Sequence, residues 1–211
     1  MSPSHARDGT PVRRWAWISG VLAAVAAACL VMAVHTAGPG EPRDAVAEAP
    51  SESSTPSADP DPVASPVGLR IPSIDVAAKV TQLGLTKDQT VEVPSNPADT
   101  GWYRLGPPPG QVGAAVILGH VDSMQGPAVF YRLRHLKPGD RVLVDAADGS
   151  TSTFRVVRLA TYPNEKFPAR KVYVAEGHRR VLNLVTCGGE YDPATGYQAN
   201  VVVYTRLVHT A

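Results

Sequence analysis

The run from Trp15 to Val34 holds 20 residues and not one charged side chain. A helix crossing a bilayer core needs about 20 apolar residues, so this segment constrains the chain before any other feature does. Arg7, Arg13 and Arg14 precede it, and the first charged residue after it is Glu41. Positive charge stays on the cytoplasmic side. The pattern therefore predicts a cytoplasmic N-terminus over residues 1–14, a single-pass transmembrane anchor over residues 15–35, and everything beyond it outside the cell. Trp15 and Trp17 suit the membrane interface. The other reading is a cleaved signal peptide, with Val31 and Ala33 as a small-residue cleavage site, although the run is long for a signal. Both readings place the remainder outside the cytoplasm.

Residues 36–66 are rich in Pro, Ala, Ser, Glu and Asp and contain no aromatic residue. Such a stretch cannot bury enough apolar surface to offset its ordering entropy. It reads as a disordered spacer, stiffened by its prolines, that holds residues 67–211 away from the membrane surface. The net charge of +1 gives no global field that would favour nucleic acid.

From Val67 onward short apolar runs recur between Pro, Gly, Asn and Asp. Strands are expected at Leu69–Ile74, Lys79–Leu83, Thr90–Val93, Ala114–Gly119, Arg141–Asp145, Ser152–Leu159, Val181–Thr186 and Asn200–Leu207. Asp148-Gly149 between two of them is a hairpin-turn signal. Helical periodicity is absent apart from a short helix expected near Pro127–His135. Such a pattern predicts an all-β fold, a closed barrel or a sandwich.

Of the two cysteines, Cys29 lies in the apolar run and Cys187 in the folded part. No CxxC, HxH or HExxH spacing is present, so neither a metal nor any other cofactor is called for. Cys187 closes the expected strand Val181–Thr186 and precedes Gly188-Gly189, whose backbone N–H groups can face a carbonyl oxygen. It is a nucleophile or a small buried hydrophobe. His120 closes the apolar run Ile117-Leu118-Gly119. It is an acid/base group or a rim histidine bonded to Asp122. A thiol and an imidazole at strand exits form the pairing of a covalent acyl-transfer enzyme.

Leu118-Gly119-His120 and Leu184-Val185-Thr186-Cys187 resemble the corresponding motifs of the sortases. So do Leu69-Arg70-Ile71-Pro72-Ser73-Ile74, Gly101-Trp102-Tyr103, Phe130-Tyr131-Arg132-Leu133 and Leu136-Lys137-Pro138-Gly139-Asp140. Thr186-Cys187-Gly188-Gly189 and Asn200-Val201-Val202-Val203-Tyr204 are most similar to the actinobacterial class E/F branch, class F above all. The likeness spans about residues 67–208, in order.

The resemblance implies an eight-stranded sortase-type β-barrel with short helices and a cysteine transpeptidase. Its substrates would be secreted proteins bearing a C-terminal sorting signal similar to LPXTG. Cys187 would form the thioacyl intermediate. His120 would protonate the departing amine and deprotonate the incoming one, supplied by a cell-wall precursor or another amine nucleophile. One departure stands out. The family carries an arginine near the start of the last strand, where this chain has Gln198 and Asn200. Either carboxamide is the neutral replacement donor, another arginine reaches in, or activity is low; a missing oxyanion donor costs about a hundred- to a thousand-fold in rate. The stretch Tyr162–Gly177 is long for a connection, and by family analogy Phe167, Val172, Tyr173 and Val174 line the peptide groove. A purely hydrolytic cysteine peptidase and a catalytically weak surface-binding module are the competing readings. An L,D-transpeptidase lacks support, since Ser-x-Gly-Cys-x-Arg is absent around Cys187.

Overall fold

A computed structural model describes residues 63–211. The expected cytoplasmic segment, the anchor and nearly all of the spacer lie outside the described residues. Among the described residues ten strands occur in chain order: β1 (Pro66–Ile71), β2 (Val76–Leu83), β3 (Thr100–Tyr103), β4 (Gly113–Gly119), β5 (Asp122–Ser123), β6 (Gly126–Pro127), β7 (Arg141–Ala146), β8 (Thr151–Pro163), β9 (Arg180–Asp192) and β10 (Gly196–Thr210). Eight of them close into a barrel in the order β1-β2-β3-β4-β9-β10-β8-β7, and β5 and β6 form a separate two-stranded ribbon. Closure leaves the barrel sheet itself without an unpaired edge. The all-β, eight-stranded expectation holds.

Alternation decides which residues fill the barrel. Leu69, Ile71, Ile117, Phe154, Leu182, Leu184 and Val203 are fully buried inside. Phe130, also fully buried, reaches this core from the segment after β6. A Cβ at Gly119 would meet Phe130 Cδ2 at 2.6 Å, so the last residue of β4 is a glycine because an aromatic ring lies against its backbone.

Three elements differ from the sequence reading. Thr90–Val93 is not a barrel strand. It folds back on the end of β2 through a single antiparallel bridge, Leu85 to Val91, with Thr86 N–H donating to Thr90 O at 2.8 Å. Its alternation is that of a local hairpin. The barrel strand is Thr100–Tyr103, obscured in sequence by Gly101. That glycine is required: a Cβ there would meet Leu83 Cδ1 at 2.4 Å. The helix expected near Pro127–His135 reduces to the 3-10 turn Leu133–His135, while a short helix, α1 (Ala169–Tyr173), forms in the stretch read as loop.

The third difference concerns strand length. β9 and β10 run 13 and 15 residues, well past the expected ends. Cys187 therefore lies within a strand, not at its exit. Beyond it, Tyr191 pairs with Tyr197 while Gly188 pairs with Ala199, so Gly189 and Glu190 oppose Gln198 alone. This is a β-bulge, with Gly189 at φ 77 in a conformation that disfavours other residues.

Candidate active site

β4 and β9 run parallel, and their register pairs Ile117 with Leu184 and Leu118 with Val185. Two residues past Leu118 is His120, and two past Val185 is Cys187. Equal steps along neighbouring parallel strands end side by side, on the same face, about 4.8 Å apart in backbone terms. The adjacency persists up to the preceding pair, because Thr186 Oγ1 donates to Gly119 O at 2.8 Å. On the other side of β9, β10 pairs Asn200 with Cys187. By backbone register, Cys187 thus lies between Asn200 on β10 and the residues just past β4, where His120 stands.

The face that carries them is the outer one. Val116, Val185 and Val202 lie on it and pack with the fully buried Val172 of α1, and Tyr103, Leu118, Tyr162, Phe167, Tyr173 and Tyr204 pack around them. Val172 pins α1 to the barrel. Asn183 Nδ2 adds a bond to Val172 O at 2.6 Å. Phe167 and Tyr173 are half-buried beside it, and Val174 is exposed. Tyr173 packs edge-on against Tyr103 at 5.3 Å. Burial pushes the Tyr173 hydroxyl up to about 12, with the Tyr103 charge adding to it, so it stays protonated as a donor at neutral pH. Beyond α1 the outer face opens into a cavity of about 1230 Å³ that includes Arg158, Arg179, Arg180 and Arg206. Cys187 and His120 do not line it.

Cys187 is the free cysteine among the described residues and is exposed. Neighbouring atoms nonetheless strip water from its sulfur. That desolvation, and next the charge of Asp122, raise its pKa, so the resting group is a thiol. His120 is half-buried, and its Nε2 lies 2.7 Å from the Pro94 carbonyl oxygen. A carbonyl only accepts, so Nε2 carries the proton and Nδ1 is left to exchange one. Asp122 is not a partner of this imidazole. Its carboxylate accepts a hydrogen bond from the Tyr197 hydroxyl.

The two carboxamides differ in what they have left to give. Gln198 spends both Nε2 hydrogens inside the hairpin, on Thr195 Oγ1 at 2.7 Å and Gly196 O at 2.6 Å. Asn200 uses one, donating to Asn164 Oδ1 at 2.9 Å, while Asn164 Nδ2 donates to Tyr197 O at 2.7 Å. One Asn200 donor remains, across the ladder from the thiol. Gly188 is drawn into the same ladder opposite Ala199, where a Cβ would meet Val201 Cγ2 at 2.7 Å. Two arginines of the family-like segments are engaged elsewhere: Arg70 with Asp145 at 2.7 Å and Arg132 with Asp75 at 3.0 Å. Arg206 lines the cavity beyond α1.

Three contributors, Pro94, Asn164 and Tyr197, were not picked out from the sequence, and Asp122 was read only as a partner of His120. Pro94 and Asn164 act through a backbone oxygen and a long-range side-chain bond, which leave no local signature. Tyr197 and Asp122 meet across 75 residues.

A family model described as the sortase domain matches residues 69–208. Three solved structures share the architecture. Sortase A of Listeria monocytogenes is 19% identical, with 71% of this chain and 90% of that one covered and a TM-score of 0.53. Sortase C-1 of Actinomyces oris is 21% identical, with 68% and 75% covered and a TM-score of 0.53. Sortase A of Corynebacterium diphtheriae is 18% identical, with 70% and 62% covered and a TM-score of 0.54. No curated protein sequence matches the chain. At these identities the structural likeness speaks for the fold, and the family match speaks for the lineage.

Proposed function

Since the chain belongs to the sortase family of cysteine transpeptidases, we propose that it cleaves an LPXTG-like sorting signal on secreted proteins and transfers them to a cell-wall amine. The observation that supports this reading is the register of β4 and β9, which aligns Leu118 with Val185, the residues two positions before His120 and Cys187. Cys187 attacks the scissile carbonyl and His120 gives a proton to the departing amine. A thiol raised in pKa and an imidazole with one open nitrogen suit a resting pair that ionises as substrate binds.

Asn200 is assigned as the neutral donor to the carbonyl oxygen in place of the family's arginine, because it faces Cys187 and keeps one hydrogen. Gly188 supports it from the backbone. Phe167 and Tyr173 form the apolar wall of the peptide groove, with Val172 beneath as its anchor and Val174 at its outer edge. The anchor at residues 15–35 holds the enzyme on the outer face of the cell membrane, and the chain falls in the actinobacterial class E/F branch, with class F the reading its motifs favour.

The test is incubation of residues 63–211 with a panel of LPXTG-like peptides, with and without an added amine. The expected result is cleavage plus an amide-ligated product, both absent in Cys187→Ala. Cleavage without ligation at any amine concentration makes it a hydrolytic peptidase. The substituted arginine favours one other reading, a catalytically weak surface-binding module. It prevails if the wild-type domain neither cleaves nor ligates any peptide it binds.

A further inference from the structure

The bond between Tyr197 and Asp122 joins two places that flank the same strand. Asp122 follows β4, and Tyr197 lies on β10; β4 and β10 are the two neighbours of β9 in the barrel. The bond therefore spans β9 at the rim. Its level is set by the ladder, where Tyr197 pairs with Tyr191, four residues past Cys187 on the far side of the bulge. The Tyr197 ring is steadied by an edge-on contact with Tyr191 at 5.1 Å. Asp122 is held by the β5–β6 ribbon, where it pairs with Pro127.

A carboxylate at this rim, whose charge acts on the Cys187 thiol, is unhelpful to the first half-reaction, since a negative charge opposes thiolate formation. Among the described residues no lysine, arginine or histidine forms an ion pair with Asp122. Tyr197 supplies one neutral hydrogen bond, and a carboxylate accepts more than one. The site thus keeps a half-buried negative charge at its rim with capacity for a cationic donor. The second half-reaction brings such a donor: a primary amine that arrives as an ammonium.

We propose that Asp122, held by Tyr197, is the docking group for the ammonium of the amine acceptor. This rests on the transpeptidase reading above. The ammonium donates to the Asp122 carboxylate and passes one proton to the open nitrogen of His120. The free amine then attacks the thioester carbonyl carbon. The C–N bond forms as the C–S bond breaks, and the second proton goes to the departing Cys187 sulfur. The products are an amide and a thiol, and the proton on His120 leaves to solvent. Asp122 keeps its charge throughout.

The experiment compares two acceptors on the peptide-acylated domain at pH 7.5: propylamine, which is cationic there, and hydroxylamine, which is neutral. The readout is the ratio of their apparent KM values. In Asp122→Asn, which keeps the Tyr197 bond and loses the charge, this ratio is expected to rise about tenfold, as for loss of one charge-assisted hydrogen bond. In Tyr197→Phe, which keeps the charge, it is expected to move by less than about threefold. An unchanged ratio in Asp122→Asn overturns the assignment, and so does an equal rise in both variants, which would make the tie and not the charge the determinant. Failure of the wild-type domain to form any thioacyl adduct overturns the transpeptidase reading itself; adduct formation with an unmoved ratio overturns only the role of Asp122.

Discussion

Strands β4, β9 and β10 each show two faces, and the two do different work. Inward, Ala115, Ile117, Leu182, Leu184 and Val203 are buried among other apolar side chains of one core. Outward, on the alternate residues, Val116, Val185 and Val202 form a smaller cluster under α1, and the rows end in His120, Cys187 and Asn200. One face is sealed by barrel closure. The other is covered by Val172 of α1, and Cys187, farther along it, is exposed. A one-residue slip would exchange the faces and put the thiol in the core. Stability and reactivity are thus separated by parity alone.

Changes to the two faces should therefore fail differently. The largest effect is expected from Cys187→Ala, which abolishes turnover in a peptide-cleavage assay while its thermal midpoint stays within a few degrees of the wild type. His120→Gln comes next, with a loss of about a hundred- to ten-thousand-fold in kcat for want of the proton exchange. Asn200→Ala is expected to cost about a hundredfold in kcat with little change in KM, as for an oxyanion donor. Gln198→Ala should cost far less, since both its donors are spent within the hairpin. A reversed ranking of these two substitutions would move the donor role to Gln198. On the inner face, Leu184→Ala should lower stability by about 2–5 kcal/mol, read by denaturant unfolding, with specific activity of the folded fraction nearly unchanged. If Leu184→Ala slowed turnover without destabilising, the division between faces would not hold.

The smallest effect is one of pH. Burial and then Asp122 raise the Cys187 pKa, so the thiolate fraction at pH 7.5 is below that of an unperturbed thiol. Iodoacetamide should alkylate it more slowly than a free peptide thiol. Removing the nearby charge in Asp122→Asn lowers the pKa and raises the thiolate fraction, so alkylation should quicken. A slower reaction in that variant would contradict the electrostatic sign.

Much of this was legible in the sequence because alternation is a direct record of burial. Ala114–Gly119 and Val181–Thr186 read as core strands, and both lie within barrel strands. Gly101 hid β3 because the need for a glycine came from Leu83, far along the chain. Thr90–Val93 alternated for a local pairing that the barrel does not use, and the carbonyl just past it, on Pro94, holds His120. The continuation of β9 past Cys187 was concealed by Gly188-Gly189, which read as a break and proved to be a ladder position and a bulge. That bulge is also why the sequence left Gln198 and Asn200 level: the extra residue opposite Gln198 is visible only once the strands pair. α1, at five residues, is too short to leave a helical period.

The pairing of Cys187 with His120 on the outer face is the claim on which the rest depends. Intact-mass measurement of the domain with sorting-signal peptides tests it directly. The account predicts an adduct equal to the peptide's N-terminal fragment, mapped to Cys187, formed far more slowly in His120→Gln and absent in Cys187→Ala. An adduct on another residue, or equal rates with and without His120, would contradict it.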